Sequence, residues 1–243
     1  MNFTVFLNSR GRVPQLQRFI ESFEKHTYNH GQLEMVITGD NDDAETVQFL
    51  NELRNRKTFT FNPIIGDRPT SLCASFNNMA KQAKGRYLFV LNDDAEILTP
   101  NWDEIALRKI KEYQEKWKIK DDVIYGRTSD NSVDKIAGKL YASFPIISAQ
   151  AVEGMGFFMH EEFVGLGGDS AIYRVYEQIN RVVDMSEIQL DHVYHNHLFR
   201  VLSPDKTAHE MRVNSHQHNL DPFTLDVSTD VWRMHMFLQE KNQ

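Results

Sequence analysis

Apolar runs and apolar helical stripes alternate through the first hundred residues, and that alternation is the tightest constraint on how this 243-residue chain can fold. Phe3–Leu7 is a short apolar run suited to a buried strand, and Val13, Leu16, Phe19, Ile20 and Phe23 then recur at helical spacing. Pro14 fits the first turn of that helix. Leu33–Thr38 is a second strand ending at Gly39-Asp40, and Val47, Leu50 and Leu53 mark a second helix. Thr58–Ile65 is a third strand, interrupted or ended by Pro63. Thr70 or Ser71 can cap a helix carrying Leu72, Phe76, Met79, Ala80 and Ala83, which Lys84-Gly85 ends. Tyr87–Leu91 is the fourth strand. The order β-α-β-α-β-α-β predicts an α/β fold, a parallel sheet with helices on both faces.

In such sheets ligands bind beyond the carboxyl ends of the strands. Asn8-Ser9-Arg10, Gly39-Asp40 and Asn92-Asp93-Asp94 all fall at such ends, so three polar clusters from separate strands converge on one edge. The rest of the chain is less regular. Asp122–Tyr125 and Gly154–Met159 have strand character, and Tyr173–Val182 has the pattern of a short helix. Ile188–Tyr194 is a strand that runs into His195-Asn196-His197, and Asp221-Pro222 can open a last helix through Trp232 and Phe237. With no linker and no internal repeat, the expectation is one domain over 1–243: a nucleotide-binding half over 1–100, an acceptor and metal half over 101–202, and a C-terminal loop and helix over 203–243.

Composition narrows the function classes. Charged residues make up 25% and hydrophobic residues 41%, the balance of a folded chain rather than a disordered one. No apolar run approaches the roughly 20 residues of a membrane helix, and the N-terminus lacks the order of a signal peptide. Cys73, the single cysteine, excludes an internal disulfide and suits a reducing compartment, so a cytoplasmic location, or peripheral attachment to a membrane, is expected. The formal net charge of −7 weighs against nonspecific binding to a polyanion.

The acidic turn raises the sharpest chemical question. Asp93, Asp94 and Glu96 follow directly on the fourth strand and repel one another. A solvated turn tolerates them, because such residues are common turn formers. A hard divalent ion such as Mg²⁺ or Mn²⁺ would remove the repulsion, and imidazole shifts the preference toward Mn²⁺. His195 and His197 alternate on an expected strand and so face the same side.

The segment LNDDAEILTPNWDE resembles the metal-site segment of family 2 glycosyltransferases of the GT-A fold. ASFNNMAKQAKGRYLFV before it, and GMGFFMHEEFVGLGGDSAIYR and VYHNHL after it, resemble that family in the same order, with Asn77, Gly85 and Asp94 at matching positions. The resemblance implies a GT-A, Rossmann-like sheet that binds a nucleotide sugar, with a C-terminal acceptor-side region. It implies that Asp94 holds the metal and that His195, with His197 in reserve, completes the shell. It implies that Asp93 holds the ribose or assists the metal. Asn8 and Arg10 would border the nucleotide, Asp40 would sit near the base with Asp42 as alternative, and Asn77 would belong to the nucleotide-sugar site. Arg10 or Arg12 would offset charge on a leaving diphosphate.

The implied activity is metal-dependent transfer of a sugar from a nucleotide-diphosphate sugar, by resemblance a UDP-sugar, to an acceptor hydroxyl, with inversion. The acceptor is a glycan, a lipid-linked glycan or a protein, with hydroxymethylated phage DNA also open. The chain departs from the family in two places. Phe76 stands where relatives often have arginine, and Asp169-Ser170 replaces a pair of acids. Asp169 is the expected base, with Glu161 or Glu162 in reserve; as a helix N-cap it would have a purely structural role. The basic stretch Arg108, Lys109, Lys111, Lys116, Lys118 and Lys120 suits a solvated helix face, and could also meet nucleic acid or an anionic membrane. A second metal site in the stretch from His209 to His218 is weaker than a solvated loop, and Cys73 reads as core filling. A sugar-nucleotide pyrophosphorylase or a non-catalytic nucleotide- or glycan-binding module are the competing functions; the glycine-rich loop of the former is absent.

Overall fold

The structure, a computed structural model, describes residues 1–130, 141–163, 167–192 and 225–242. Four strands alternate with three helices at the start: β1 (Phe3–Ser9), α1 (Val13–His26), β2 (Leu33–Asp40), α2 (Ala44–Leu53), β3 (Thr60–Gly66), α3 (Leu72–Gln82) and β4 (Tyr87–Val90). Then come β5 (Ala95–Ile97), α4 (Trp102–Trp117), β6 (Tyr125–Asp130), β7 (Ile146–Ser148), α5 (Ala149–Met155), α6 (Gly168–Gln178), β8 (Val182–His192) and α7 (Ser228–Lys241). The strands form one sheet in the order β3-β2-β1-β4-β7-β6-β8-β5. β1 pairs in parallel with β2 and β4, and β2 with β3, as the alternation predicts. β7 turns antiparallel, and β6 pairs in parallel with β8.

Side-chain alternation along the strands feeds two cores. Val5, Leu7 and Phe89 point to one face, where Leu16, Phe19 and Phe23 of α1, Leu50 of α2 and Trp102 of α4 cover them. Phe6, Leu88 and Val90 point to the other face, against Phe76 and Met79 of α3, Ala151 of α5, Ile172 of α6 and Met234 of α7. Trp102 is fully buried, and its indole N–H is satisfied by Thr27 Oγ1 at 3.0 Å.

Strand order imposes curvature. Only four residues separate β4 from β5, yet three strands lie between them in the sheet. In a flat sheet that would be about 19 Å at the usual strand spacing, and five chain steps span at most about 18 Å. The sheet therefore curls, and β5 closes its far edge by pairing antiparallel with β8.

Several expectations are corrected. β3 runs through Pro63 instead of ending there; at the edge of the sheet, pairing only with β2 among the described strands, it tolerates a residue without an N–H. Ser71, not Thr70, caps α3, accepting from the Ala74 N–H at 2.9 Å. The strand expected at Asp122–Tyr125 begins only at Tyr125, because side chains of Gln150, Asp121 and Ser148 take the N–H groups of Asp122, Val123 and Ile124. Gly154–Met159 is not a strand but the end of α5 and a following turn. Gly154 lies where α5 meets α7, and a Cβ there would stand 2.7 Å from Phe237. The helix expected over Tyr173–Val182 is α6, which starts earlier because Ala171 and Ile172 are core residues; Val182 already belongs to β8. His195, His197 and Asp221-Pro222 lie outside the described residues.

Candidate active site

The carboxyl ends of β1, β2 and β4 gather the expected polar residues. β1 ends in Asn8-Ser9, and the loop after it carries Arg10, Gly11 and Arg12. Gly11 adopts φ +62°, a left-handed conformation that glycine reaches without strain, and it separates two arginines with different partners. Arg10 turns to β2, donating from Nη1 to Asp40 Oδ2 at 2.8 Å and from Nη2 to Asp42 Oδ2 at 2.9 Å. Asp40 is buried and Asp42 exposed. Arg12 turns to the acidic turn, with Nη2 2.9 Å from Asp93 Oδ1 and Nη1 3.6 Å from Asp94 Oδ2.

Basic and hydroxyl groups answer the repulsion at that turn. The Asp93 side chain is 0% exposed and accepts from Ser9 Oγ at 2.8 Å besides pairing with Arg12. Asp94 is 17% exposed and meets His192 Nε2 at 3.4 Å through its other oxygen. Glu96 pairs with Arg18 Nε of α1 at 2.6 Å. Burial pushes the Asp94 carboxyl up, but its contact with His192 and the charge of Arg12 outweigh that, so it stays below the ordinary value of 3.8. His192 owes its place to sheet register: it pairs with Ala95, the residue after Asp94. The sequence alone favours His195 and His197 over His192, since nothing local marks where β8 meets the acidic turn.

Asn8 sits beneath this edge. Its Oδ1 accepts from Thr38 Oγ1 at 2.6 Å and from Ser75 Oγ at 2.5 Å, while its buried Nδ2 has no hydrogen-bond partner among the described residues. Asn77 is placed differently from the expectation of a nucleotide contact. Its Oδ1 accepts from the Phe158 and Met159 N–H groups, both at 2.8 Å, and its Nδ2 donates to Met159 O at 2.9 Å and Glu161 Oε1 at 3.0 Å. That is the full hydrogen-bonding capacity of an asparagine side chain.

Asn77 thus ties the turn at Phe158–Glu161 to α3, and it separates the two reserve acids. Glu161 is held toward Asn77, while Glu162 lies 3.6 Å from His160 Nδ1, whose Nε2 is 3.3 Å from Asp230 of α7. The N-cap of α6 is Gly167 at φ +99°, so Asp169 stands inside the first turn rather than at the cap. Its Oδ1 accepts from the Ser170 N–H at 2.8 Å. Burial pushes the Cys73 thiol up to about 12, with Asp169 and Glu161 adding to the shift, and a thiol so held is a poor nucleophile. Three of the six cations of the basic stretch have glutamate partners: Arg108 pairs with Glu112 and Glu187, Lys109 with Glu187, and Lys111 with Glu115.

Among the described residues no three His, Cys, Asp or Glu side chains gather closely enough to hold a metal alone. Asp94 and His192 supply one hard oxygen and one imidazole, a pair that suits Mn²⁺ when substrate phosphates and water complete the shell.

A curled α/β sheet of this order, with paired acids after the fourth strand, defines a GT-A, Rossmann-like nucleotide-binding fold. The sequence pattern of the family described as Glycosyl transferase family 2 matches residues 4–142, more than half of the chain. The chain belongs to that family and is a glycosyltransferase. No curated protein sequence matches it significantly. Among solved structures it is similar to S. aureus TarS 1–349 in complex with UDP, with a TM-score of 0.61 and 14% identity over 98% of this chain and 71% of that one. The UDP-GlcNAc complex of the same protein gives a TM-score of 0.59 at 15% identity, covering 98% and 72%. The mannosyltransferase PcManGT from Pyrobaculum calidifontis, in complex with GDP-Man and Mn2+, gives a TM-score of 0.59 at 11% identity, covering 98% and 73%.

Proposed function

We propose that this glycosyltransferase moves a sugar from a nucleotide-diphosphate sugar, a UDP-sugar in the favoured case, to an acceptor hydroxyl with inversion. The observation that carries the proposal is the setting of Asp94, partly exposed at the sheet edge between His192 and Arg12. Solved neighbours in complex with UDP, UDP-GlcNAc and GDP-Man support this class of donor. Asn8 would border the nucleotide, offering its buried Nδ2 to an acceptor atom of the ligand. Asp40 would lie near the base, held in place by Arg10. Asp93, enclosed by Ser9 and Arg12, would orient Arg12 and the ribose side of the site.

Asp94 and His192 would hold a divalent ion, Mn²⁺ or Mg²⁺, with His195 and His197 as further candidate donors. When bound, such an ion neutralises charge on a leaving diphosphate. Arg10 or Arg12 would add fixed positive charge, and Arg12 is the one beside Asp94. At the acceptor side, Asp169 would take the proton from the attacking hydroxyl. The acceptor oxygen forms a bond to the anomeric carbon as the bond from that carbon to the phosphate oxygen breaks. The electron pair leaves with the nucleoside diphosphate. Glu161, anchored by Asn77, is the reserve base; Glu162 faces His160 instead.

The acceptor is a glycan, a lipid-linked glycan or a protein. The pairing of the α4 cations with glutamates weakens, without removing, the case for a nucleic-acid acceptor such as hydroxymethylated DNA. A thermal-shift screen of nucleotide sugars with Mn²⁺ tests the donor, since a ligand that binds the folded state raises its stability. Slow Mn²⁺-dependent release of UDP from the stabilising sugar nucleotide is expected. Pyrophosphate-dependent cleavage instead would point to a pyrophosphorylase, and neither activity would leave a binding module.

A further inference from the structure

We infer that Arg12 couples the two ligands of this site: it holds off a bare divalent cation and admits that cation together with a diphosphate. The inference rests on the donor and metal assignment proposed above and concerns how the two combine. The two loop arginines are not equivalent. Arg10 is bound to Asp40 and Asp42, away from the acidic turn. Arg12 spans Asp93 and Asp94, at 2.9 Å and 3.6 Å.

Asp93 works as an anchor. Its side chain is fully enclosed, and Ser9 Oγ donates to the oxygen that does not face Arg12. Arg12 Nη2 is held 2.9 Å from that enclosed carboxylate, and this keeps the guanidinium beside Asp94. A guanidinium carries its charge permanently and presents a planar fork that matches phosphate oxygens. With two carboxylates and one guanidinium, the Arg12–Asp93–Asp94 group carries one net negative charge. A dication arriving alone at Asp94 meets that weakened charge and a fixed cation close by. A dication arriving with a diphosphate brings negative oxygens toward the same guanidinium, so the repulsive neighbour becomes an attractive one. Linkage then requires each ligand to raise the affinity of the other by one and the same factor.

Isothermal titration of Mn²⁺ alone, UDP alone and each in the presence of the other measures that factor; free Mn²⁺ is followed independently by electron paramagnetic resonance. GDP is run in parallel. In the wild-type protein UDP should tighten Mn²⁺ binding at least about 10-fold, within the usual range of coupling between sites. Arg12→Gln should bind Mn²⁺ alone several-fold more tightly, and its coupling factor should fall several-fold, the remainder coming from phosphate oxygens that ligate the ion directly. Arg12→Lys, which keeps the charge without the fork, should retain part of the coupling. Because Arg12→Gln removes the cation beside Asp93, the double variant Asp93→Asn with Arg12→Gln is measured as well, and it too should lose that share of the coupling.

Wild-type coupling that survives unchanged in Arg12→Gln and in the double variant overturns the inference and leaves the donor assignment standing. A wild-type protein that binds Mn²⁺ no better with UDP or GDP than without either overturns both.

Discussion

The Gly11 N–H donates to Asp43 Oδ2 at 2.6 Å, while Asp43 Oδ1 accepts from the Thr46 N–H at 3.3 Å. One carboxylate therefore caps α2 and fixes the bend between Arg10 and Arg12. Asp43→Ala should cost about 1 kcal/mol of stability, the usual value of a lost cap, and should also weaken UDP binding by freeing the arginine loop. Denaturant unfolding and titration with UDP check the two effects together. The acid limb gives a second reading. Burial pushes the Asp43 carboxyl up, but the Thr46 and Gly11 donors pull it further down, below its ordinary 3.8. A carboxyl depressed in the folded state contributes stability above its unfolded value and loses it as pH falls through the folded one. The stability gap between wild type and Asp43→Ala should therefore narrow as the pH falls through the ordinary carboxyl value of 3.8 and below it.

Gly85→Ala should be damaging, because this buried turn residue packs directly on β1. A Cβ there would stand 2.3 Å from the Thr4 backbone N and 2.5 Å from the Phe3 carbonyl carbon, neither of which can rotate aside. The Gly85 N–H also donates to Thr4 Oγ1, which in turn donates to the fully buried Glu34. The expected loss is about 1–3 kcal/mol, the range for overpacking. Gly11→Ala is the control, because no atom lies within 4 Å of its Cβ and only the left-handed backbone opposes it. A Gly85→Ala protein as stable as wild type would refute the close approach of the 83–86 turn to β1.

Asp93 and Asp94 are neighbours with different expected phenotypes. Asp93→Ala removes the buried partner of Arg12 and of Ser9 and should lower stability, by less than the ~3–5 kcal/mol of a fully buried pair because Arg12 is partly exposed. Asp94→Ala should leave the fold nearly unchanged and abolish the Mn²⁺ dependence of UDP binding. His192→Ala should weaken Mn²⁺ binding, and titrating it beside His195→Ala and His197→Ala ranks the three histidines. An unaltered Mn²⁺ affinity in His192→Ala would move the imidazole ligand to one of the other two.

Asp169→Asn should retain UDP and Mn²⁺ binding yet lose roughly 10²–10⁴ in transfer rate, the usual contribution of a general base. Gly167 is the N-cap of α6, so the amide should leave the melting temperature nearly unchanged. Turnover close to wild type would reject Asp169 as base, and Glu161→Gln, rather than Glu162→Gln, is then the decisive variant, since Asn77 holds only Glu161.

The parallel half of the fold was legible because its signals are local. Apolar periodicity in Phe3–Leu7 and Leu33–Thr38, and the cap at Ser71, are written within a few residues of the structure they produce. The paired acids were legible for the same reason. β5 was not: three residues become a strand only because β8 arrives beside them. His192 was missed for that reason too, since its significance lies in a register set across the sheet. Gly154–Met159 misled because an apolar run without alternation fits a strand or a helix end equally, and Asn77, far away in sequence, decides between them.

The closure of the sheet by β5 against β8 has a consequence for how the chain becomes competent. Residues 95–97 follow directly after β4, but their partners lie some ninety residues later, about as far along the chain as β4 lies from β1. The acidic turn exists before the imidazole that faces it. Until β8 docks, Asp94 has Arg12 beside it but not His192, so the carboxylate–imidazole pair is completed by a long-range pairing of the sheet rather than by the appearance of the motif.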